Sequence, residues 1–170
     1  MNDIFVDTSG WASYFDSREP SHKSATQIYR DVRLAGFKIV TTNYVITELI
    51  ALLASPLRLP RGRIITFVEG VTTSPYVEVV HIDEELHRQA WTLLKARQDK
   101  DWSLVDCSSF VLMEELGITQ ALTADHHFEQ AGFVGLLKLK PLLSGSIQSQ
   151  RGNQEHRGRG QDEQHRSGKP

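Results

Sequence analysis

Short apolar runs that stop at a polar or acidic residue, alternating with helix-length segments, constrain this chain more than any other feature. The first run is Ile4-Phe5-Val6, and it ends at Asp7. An uninterrupted apolar run of this length, bounded by polar residues, reads as a buried strand. Phe37 to Thr41, the valine-rich Tyr76 to His81, Ala121 to Thr123 and Val134 to Leu139 give four more strands. Helical segments are expected over 11–17 and 22–35, after polar Thr8-Ser9-Gly10, and over 43–54 and 61–70, which Pro56 and Pro60 separate. Asp83 caps another, with Glu84 and Glu85 in the first turn, where the helix dipole favours acids. Ser103 opens a helix that runs through Leu116 and ends at Gly117, and 125–130 is a short one. Strands that alternate with helices predict an α/β fold with a central parallel sheet.

The length, 170 residues, is that of one ordinary domain, and 39% hydrophobic residues supply a core. The polar and apolar residues are unevenly distributed. From Ser144 to Pro170 there is one large apolar residue, Ile147, and no aromatic, and Gln, Gly, Arg and His fill the segment. Such a segment buries too little apolar area to offset its ordering entropy. The expected organisation is a folded domain over 1–143 and a disordered polar tail over 144–170. The formal net charge of −2 excludes a strongly basic, histone-like binder, although a local basic patch on such a chain can still meet nucleic acid. A single cysteine excludes a disulfide framework and a Cys-rich zinc site. No apolar run approaches the ~20 residues of a membrane helix, and the first residues lack the layout of a signal peptide. A cytoplasmic protein with no membrane partner is expected.

Four acids stand where acids are unusual. Val45, Glu48, Leu49 and Leu52 follow helical spacing, which puts Glu48 on an apolar face. Asp106 shares a face with Ser109, Phe110 and Met113 near a helix N-terminus. Asp7 and Asp125 each follow a short strand, and the strand ends of a parallel sheet share the edge at which open α/β sheets bind ligands. Taken singly, each acid also has a structural explanation. Asp7 and Asp125 can cap helices, Ser103-Leu104-Val105-Asp106 fits a capping box, and Glu48 can pair with an arginine. Taken together, they would repel one another in low dielectric. A hard divalent cation with oxygen ligands, Mg2+ or Mn2+, resolves that repulsion. Hydroxyls from Thr8, Ser9, Thr42 and Thr123 lie close enough in sequence to orient the acids.

The motifs then resemble those of a known family. Phe5-Val6-Asp7-Thr8-Ser9 and Thr47-Glu48-Leu49 look like the first two motifs of PIN domains. Asp101-Trp102-Ser103-Leu104-Val105-Asp106 resembles the third, and Leu122-Thr123-Ala124-Asp125-His126-His127-Phe128 the fourth. The pattern is most similar to VapC-type ribonucleases of toxin–antitoxin pairs. The resemblance implies a three-layer α/β/α sandwich and cleavage of RNA with acid-bound Mg2+ or Mn2+. It also implies a homodimer and a cognate antitoxin that sends a basic side chain toward the acids. By motif, Asp7, Glu48, Asp106 and Asp125 are the catalytic and metal-site acids. Asp7 and Asp106 would be direct ligands, with Asp101, Thr8 and Thr123 auxiliary.

The residues support the same chemistry independently, because metal-assisted phosphodiester hydrolysis needs only carboxylates. No histidine is placed with a serine or cysteine nucleophile. Adjacent His126 and His127 are expected to point apart and not to form a zinc site. Cys107 reads as a buried filler, and Trp11 and Trp91 as packing residues. Trp102, in a loop beside the acids, is a candidate for base stacking. Arg58, Arg61 and Arg63, and Lys95, Arg97 and Lys100, are basic clusters able to meet phosphates. Two rival readings compete. One is a receiver-like signalling domain, which would need an acceptor Asp on the central strand and a later-strand lysine that this chain lacks. The other is a PIN-fold binding module without turnover.

Overall fold

The computed structural model describes residues 2–55 and 57–137. Five strands form one sheet: β1 (Ile4–Val6), β2 (Ile39–Thr42), β3 (Val77–Val80), β4 (Gln120–Leu122) and β5 (Val134–Gly135). Their order is β3-β2-β1-β4-β5, and every pairing is parallel. β1 and β2 are buried along their whole length, which is why they read as continuous apolar or hydroxyl-bearing runs. β3, at the edge, is only partly covered.

Helices α1 (Thr8–Phe15) and α2 (His22–Leu34) connect β1 to β2, and α3 (Asn43–Ala54) and α4 (Arg61–Thr72) connect β2 to β3. The chain then reverses direction across the sheet. It passes through α5 (Glu84–Ala96) and α6 (Leu104–Leu116) to β4, and through α7 (His127–Gln130) to β5. Right-handed crossovers in opposite directions put the first four helices on one face and the others on the opposite face. The result is the expected three-layer α/β/α sandwich. The reversal falls between β1 and β4, so the C-terminal ends of these neighbours form the crevice that such sheets use.

Several boundaries differ from expectation. The first helix starts at Thr8 rather than 11 because Asp7 is its N-cap, with Oδ1 accepting from Gly10 N at 2.7 Å. This early start requires glycine at position 10, where a Cβ would lie 1.9 Å from the Leu122 carbonyl oxygen. β2 begins at Ile39 rather than Phe37, and β4 is shifted one residue toward the N-terminus. The final strand ends at Gly135 and not at Leu139, because Leu136 and Leu137 form a turn; positions 138–139 and the expected tail over 144–170 lie outside the described residues.

The core corrects two tryptophan expectations and upholds one. Trp11 is fully buried, and its Nε1 donates to Thr41 Oγ1 at 3.1 Å. Trp91 is 48% exposed, because the buried stripe of α5 passes through Leu86 and Ala90 and leaves position 91 to the side. Trp102 is buried edge-on against Phe110, with ring centroids 5.0 Å apart, and its Nε1 donates to Gln130. Its ring is therefore committed to the core and is not free to stack on a base. Cys107 is a buried filler, as expected.

Candidate active site

The crevice between β1 and β4 opens into a cleft of about 360 Å³. Its walls include Asp7, Thr8, Ser9, Glu48, Asp101, Asp106 and Asp125, so all four motif acids and the auxiliary acid face one space. Each is positioned by a local device that the sequence encodes. Asp7 ends β1 and caps α1. Its Oδ2 accepts from Thr123 Oγ1 at 2.9 Å, and the Ser9 hydroxyl donates to both carboxyl oxygens. Thr123 is fully buried behind Asp7, and its Oγ1 also accepts from Asp125 N at 2.8 Å. One hydroxyl thus ties the two strand-end acids together across the switch point.

Asp106 is the N3 residue of α6 and completes a reciprocal capping box. Its Oδ2 accepts from Ser103 N at 2.7 Å, while Ser103 Oγ accepts from Asp106 N. The capping box expected for this residue is present, and the same carboxylate lines the cleft. Glu48 departs from the expected inward burial. It is exposed at the rim of the cleft, where the Thr8 hydroxyl donates to its Oε2. Thr42 does not reach the acids; its hydroxyl caps α3 at Val45 N.

Of the four acids, only Asp7 is buried; the Asp106 and Asp125 side chains are 16% and 32% exposed. Burial pushes the Asp7 carboxyl up to about 7, against the lowering effect of the Gly10 N–H and the Thr123 and Ser9 hydroxyls. Nearby Asp125 adds a smaller upward push. Among the described residues no Lys or Arg lies at ion-pair distance from Asp7, Glu48, Asp101 or Asp106; the His127 ring nitrogen lies 3.5 Å from Asp106. Three members of the basic clusters have partners away from these acids. Arg97 pairs with Asp99 and lies over the Trp102 ring, Lys100 also reaches Asp99, and Arg63 lies over Phe15.

His127 is the residue that sequence reasoning missed. The expected divergence of His126 and His127 assumed that both sit on a helix. In fact α7 begins at His127, and Asp125 Oδ1 accepts from His127 N in an Asx turn. This turn folds the His127 ring back into the cleft, with Nδ1 3.5 Å from Asp106 Oδ2 and 3.4 Å from Asp125 Oδ1. The Asp-x-His spacing was the available signal.

The donor set fits a divalent cation. The carboxylates of Asp7, Asp106 and Asp125 line one cleft, Asp7 is destabilised as an anion by burial, and the buried His127 Nδ1, without a hydrogen-bond partner among the described residues, lies beside two of them. A nucleophilic side chain is not in evidence among the described residues lining the cleft. The Ser109 hydroxyl donates to Val105 O, and beyond the wall the Cys107 thiol is pushed up to about 11 by burial.

Comparison with known proteins bears on the family and the fold. Residues 4–134 match the PIN domain family. The chain is 32% identical over 131 residues to the 23S rRNA-specific endonuclease VapC20 of Mycobacterium tuberculosis, covering 77% of this chain and 95% of that protein. It is 27% identical over 113 residues to a VapC ribonuclease of Archaeoglobus fulgidus, covering 65% of this chain and 70% of the relative. The crystal structure of M. tuberculosis VapC20, described as a sarcin-ricin loop cleaving toxin, superposes with a TM-score of 0.67 at 31% identity, covering 77% and 96% of the two chains. FitAcB from Neisseria gonorrhoeae shares the fold, with a TM-score of 0.55 at 15% identity over 78% and 95% of the chains. Fold, motifs and relatives converge on one assignment: this chain belongs to the PIN domain family and is similar to its VapC ribonucleases.

Proposed function

We propose that this chain is a Mg2+- or Mn2+-dependent endoribonuclease, the toxin of a type II toxin–antitoxin pair. The observation that carries the proposal is the convergence of Asp7, Glu48, Asp106 and Asp125 on one cleft at the sheet's switch point. Asp7 and Asp106 would hold the cation directly, with Asp125 and Glu48 completing the acidic wall and Asp101 at its edge. When bound, the cation supplies Lewis acidity at the phosphate and lets water ionise near neutral pH. The chain's own residues do the positioning. Thr123 and Ser9 fix the Asp7 carboxylate, Thr8 orients Glu48, and the capping box fixes Asp106. The products would be a 5′-phosphate and a 3′-hydroxyl.

The similarity to VapC20 supports a structured RNA as substrate, and a stem-loop of the sarcin–ricin type is the first to test. A cognate antitoxin would inhibit by placing a Lys or Arg among the acids in competition with metal. A homodimer is the assembly that the similarity to VapC toxins suggests for this chain. No helix among the described residues is long and apolar enough to cross a membrane, and the proposed setting is the cytoplasm.

The test is cleavage of such an RNA by purified protein with Mn2+ or Mg2+. Cleavage that stops in EDTA is expected. Cleavage that persists in EDTA would contradict metal dependence, and folded protein that binds the RNA without cutting it would favour the binding-module reading.

A further inference from the structure

His127 turns a buried ring nitrogen toward two of the acids. Among the described residues, its Nδ1 is a buried side-chain polar atom without a hydrogen-bond partner. The ring is 17% exposed and lines the cleft. Its distances to Asp125 Oδ1 and Asp106 Oδ2, 3.4 and 3.5 Å, exceed ordinary N–H···O hydrogen bonds. They are close to the separation of neighbouring ligand atoms around one ion. Bonds of about 2.1 Å set adjacent donors roughly 3–3.4 Å apart in octahedral or tetrahedral arrangements. Donor atoms of Asp125, His126 and His127 all lie within 4.8 Å of one another. His126 is the weaker candidate, because its ring is 63% exposed and its Nδ1 approaches Asp125 alone of the two acids.

We propose that His127 Nδ1 is a direct nitrogen ligand of the catalytic cation, so that the site takes Mn2+ in preference to Mg2+. This rests on the metal-dependent reading above and narrows it. An all-carboxylate site treats the two ions alike in donor type, whereas imidazole is a poor ligand for hard Mg2+ and a good one for transition metals. The Asx turn at Asp125 then has a chemical purpose, since it presents the ring and a carboxylate oxygen to the same point.

The experiment is pulsed electron paramagnetic resonance on the full chain loaded with Mn2+, without RNA, using protein grown with natural or heavy-nitrogen histidine. The expected result is a histidine nitrogen coupling that changes with the isotope, survives in His126→Gln and disappears in His127→Gln. In parallel, His127→Gln should weaken Mn2+ binding about tenfold or more while leaving Mg2+ binding within about twofold. Bound Mn2+ without nitrogen coupling in the unaltered protein would overturn the assignment while leaving the metal-dependent reading intact. So would coupling that persists in His127→Gln, or equal loss of both ions. A protein that binds no Mn2+ would overturn both. The isotope comparison uses the unaltered chain and stands even if His127→Gln fails to fold.

Discussion

Burial of Asp7 should make the metal-free protein lose stability as pH rises. The carboxyl ionises near 4 in an unfolded chain but is pushed up to about 7 in the fold, so the native state holds the proton more tightly. Its contribution is fully present below the unfolded value and is lost as pH climbs to about 7. Chelator-treated melting temperatures should therefore fall between about pH 4 and pH 7, and Mn2+ should restore stability at the upper end. Asp7→Asn should flatten that slope; a slope that is unchanged would remove Asp7 as its source. At Asp106 the two roles separate by choice of substitution. Asp106→Ala deletes the acceptor for Ser103 N and should cost about 0.5–2 kcal/mol of stability in a denaturant titration. Asp106→Asn keeps an oxygen for that N–H and should melt close to the unaltered protein in chelator.

At the scale of elements, what the sequence made legible depended on how completely each element is buried. β1 and β2 are covered on both faces and stood out as apolar or hydroxyl-bearing runs, and α6 was bracketed by its capping box and by Gly117, whose φ of +65° suits an αL cap. Boundaries were lost where a side chain has two duties. Asp7 is both the end of β1 and the cap of α1, so the helix began three residues before the periodicity became visible. The inward placement of Glu48 failed because an apolar stripe on α3 faces the core at Val45 and Leu49, while position 48 turns to the cleft rim. His127 was missed because its placement comes from an Asx turn at Asp125, signalled only by the Asp-x-His spacing, and not from any helical period. Gly10 gives the sharpest element-level test. Alanine in a helix ordinarily gains up to about 1 kcal/mol over glycine, but here its Cβ would sit 1.9 Å from the Leu122 oxygen. Gly10→Ala should instead lower the melting temperature and impair cleavage, since α1 must shift away from the switch point and carry Asp7 and Thr8 with it. A stabilised, active variant would show that the contact relaxes cheaply.

At the scale of the whole molecule, the sheet order gathers the acids at one crevice, and the proposed dimer awaits a test of its own. Trp91 is half exposed on α5, so replacing it with Glu should leave the fold's stability nearly unchanged while shifting sedimentation from dimer to monomer. A dimer that survives the substitution would locate the interface elsewhere. The central claim is that the carboxylates gathered at the β1–β4 switch point cut RNA and do more than cap helices. The measurement closest to it is the Mn2+-dependent cleavage rate of one RNA stem-loop by Asp106→Asn against the unaltered protein, both confirmed folded by melting in chelator. The account predicts a loss of several orders of magnitude with the melting temperature held. A folded Asp106→Asn protein that cleaves at close to the original rate would contradict it.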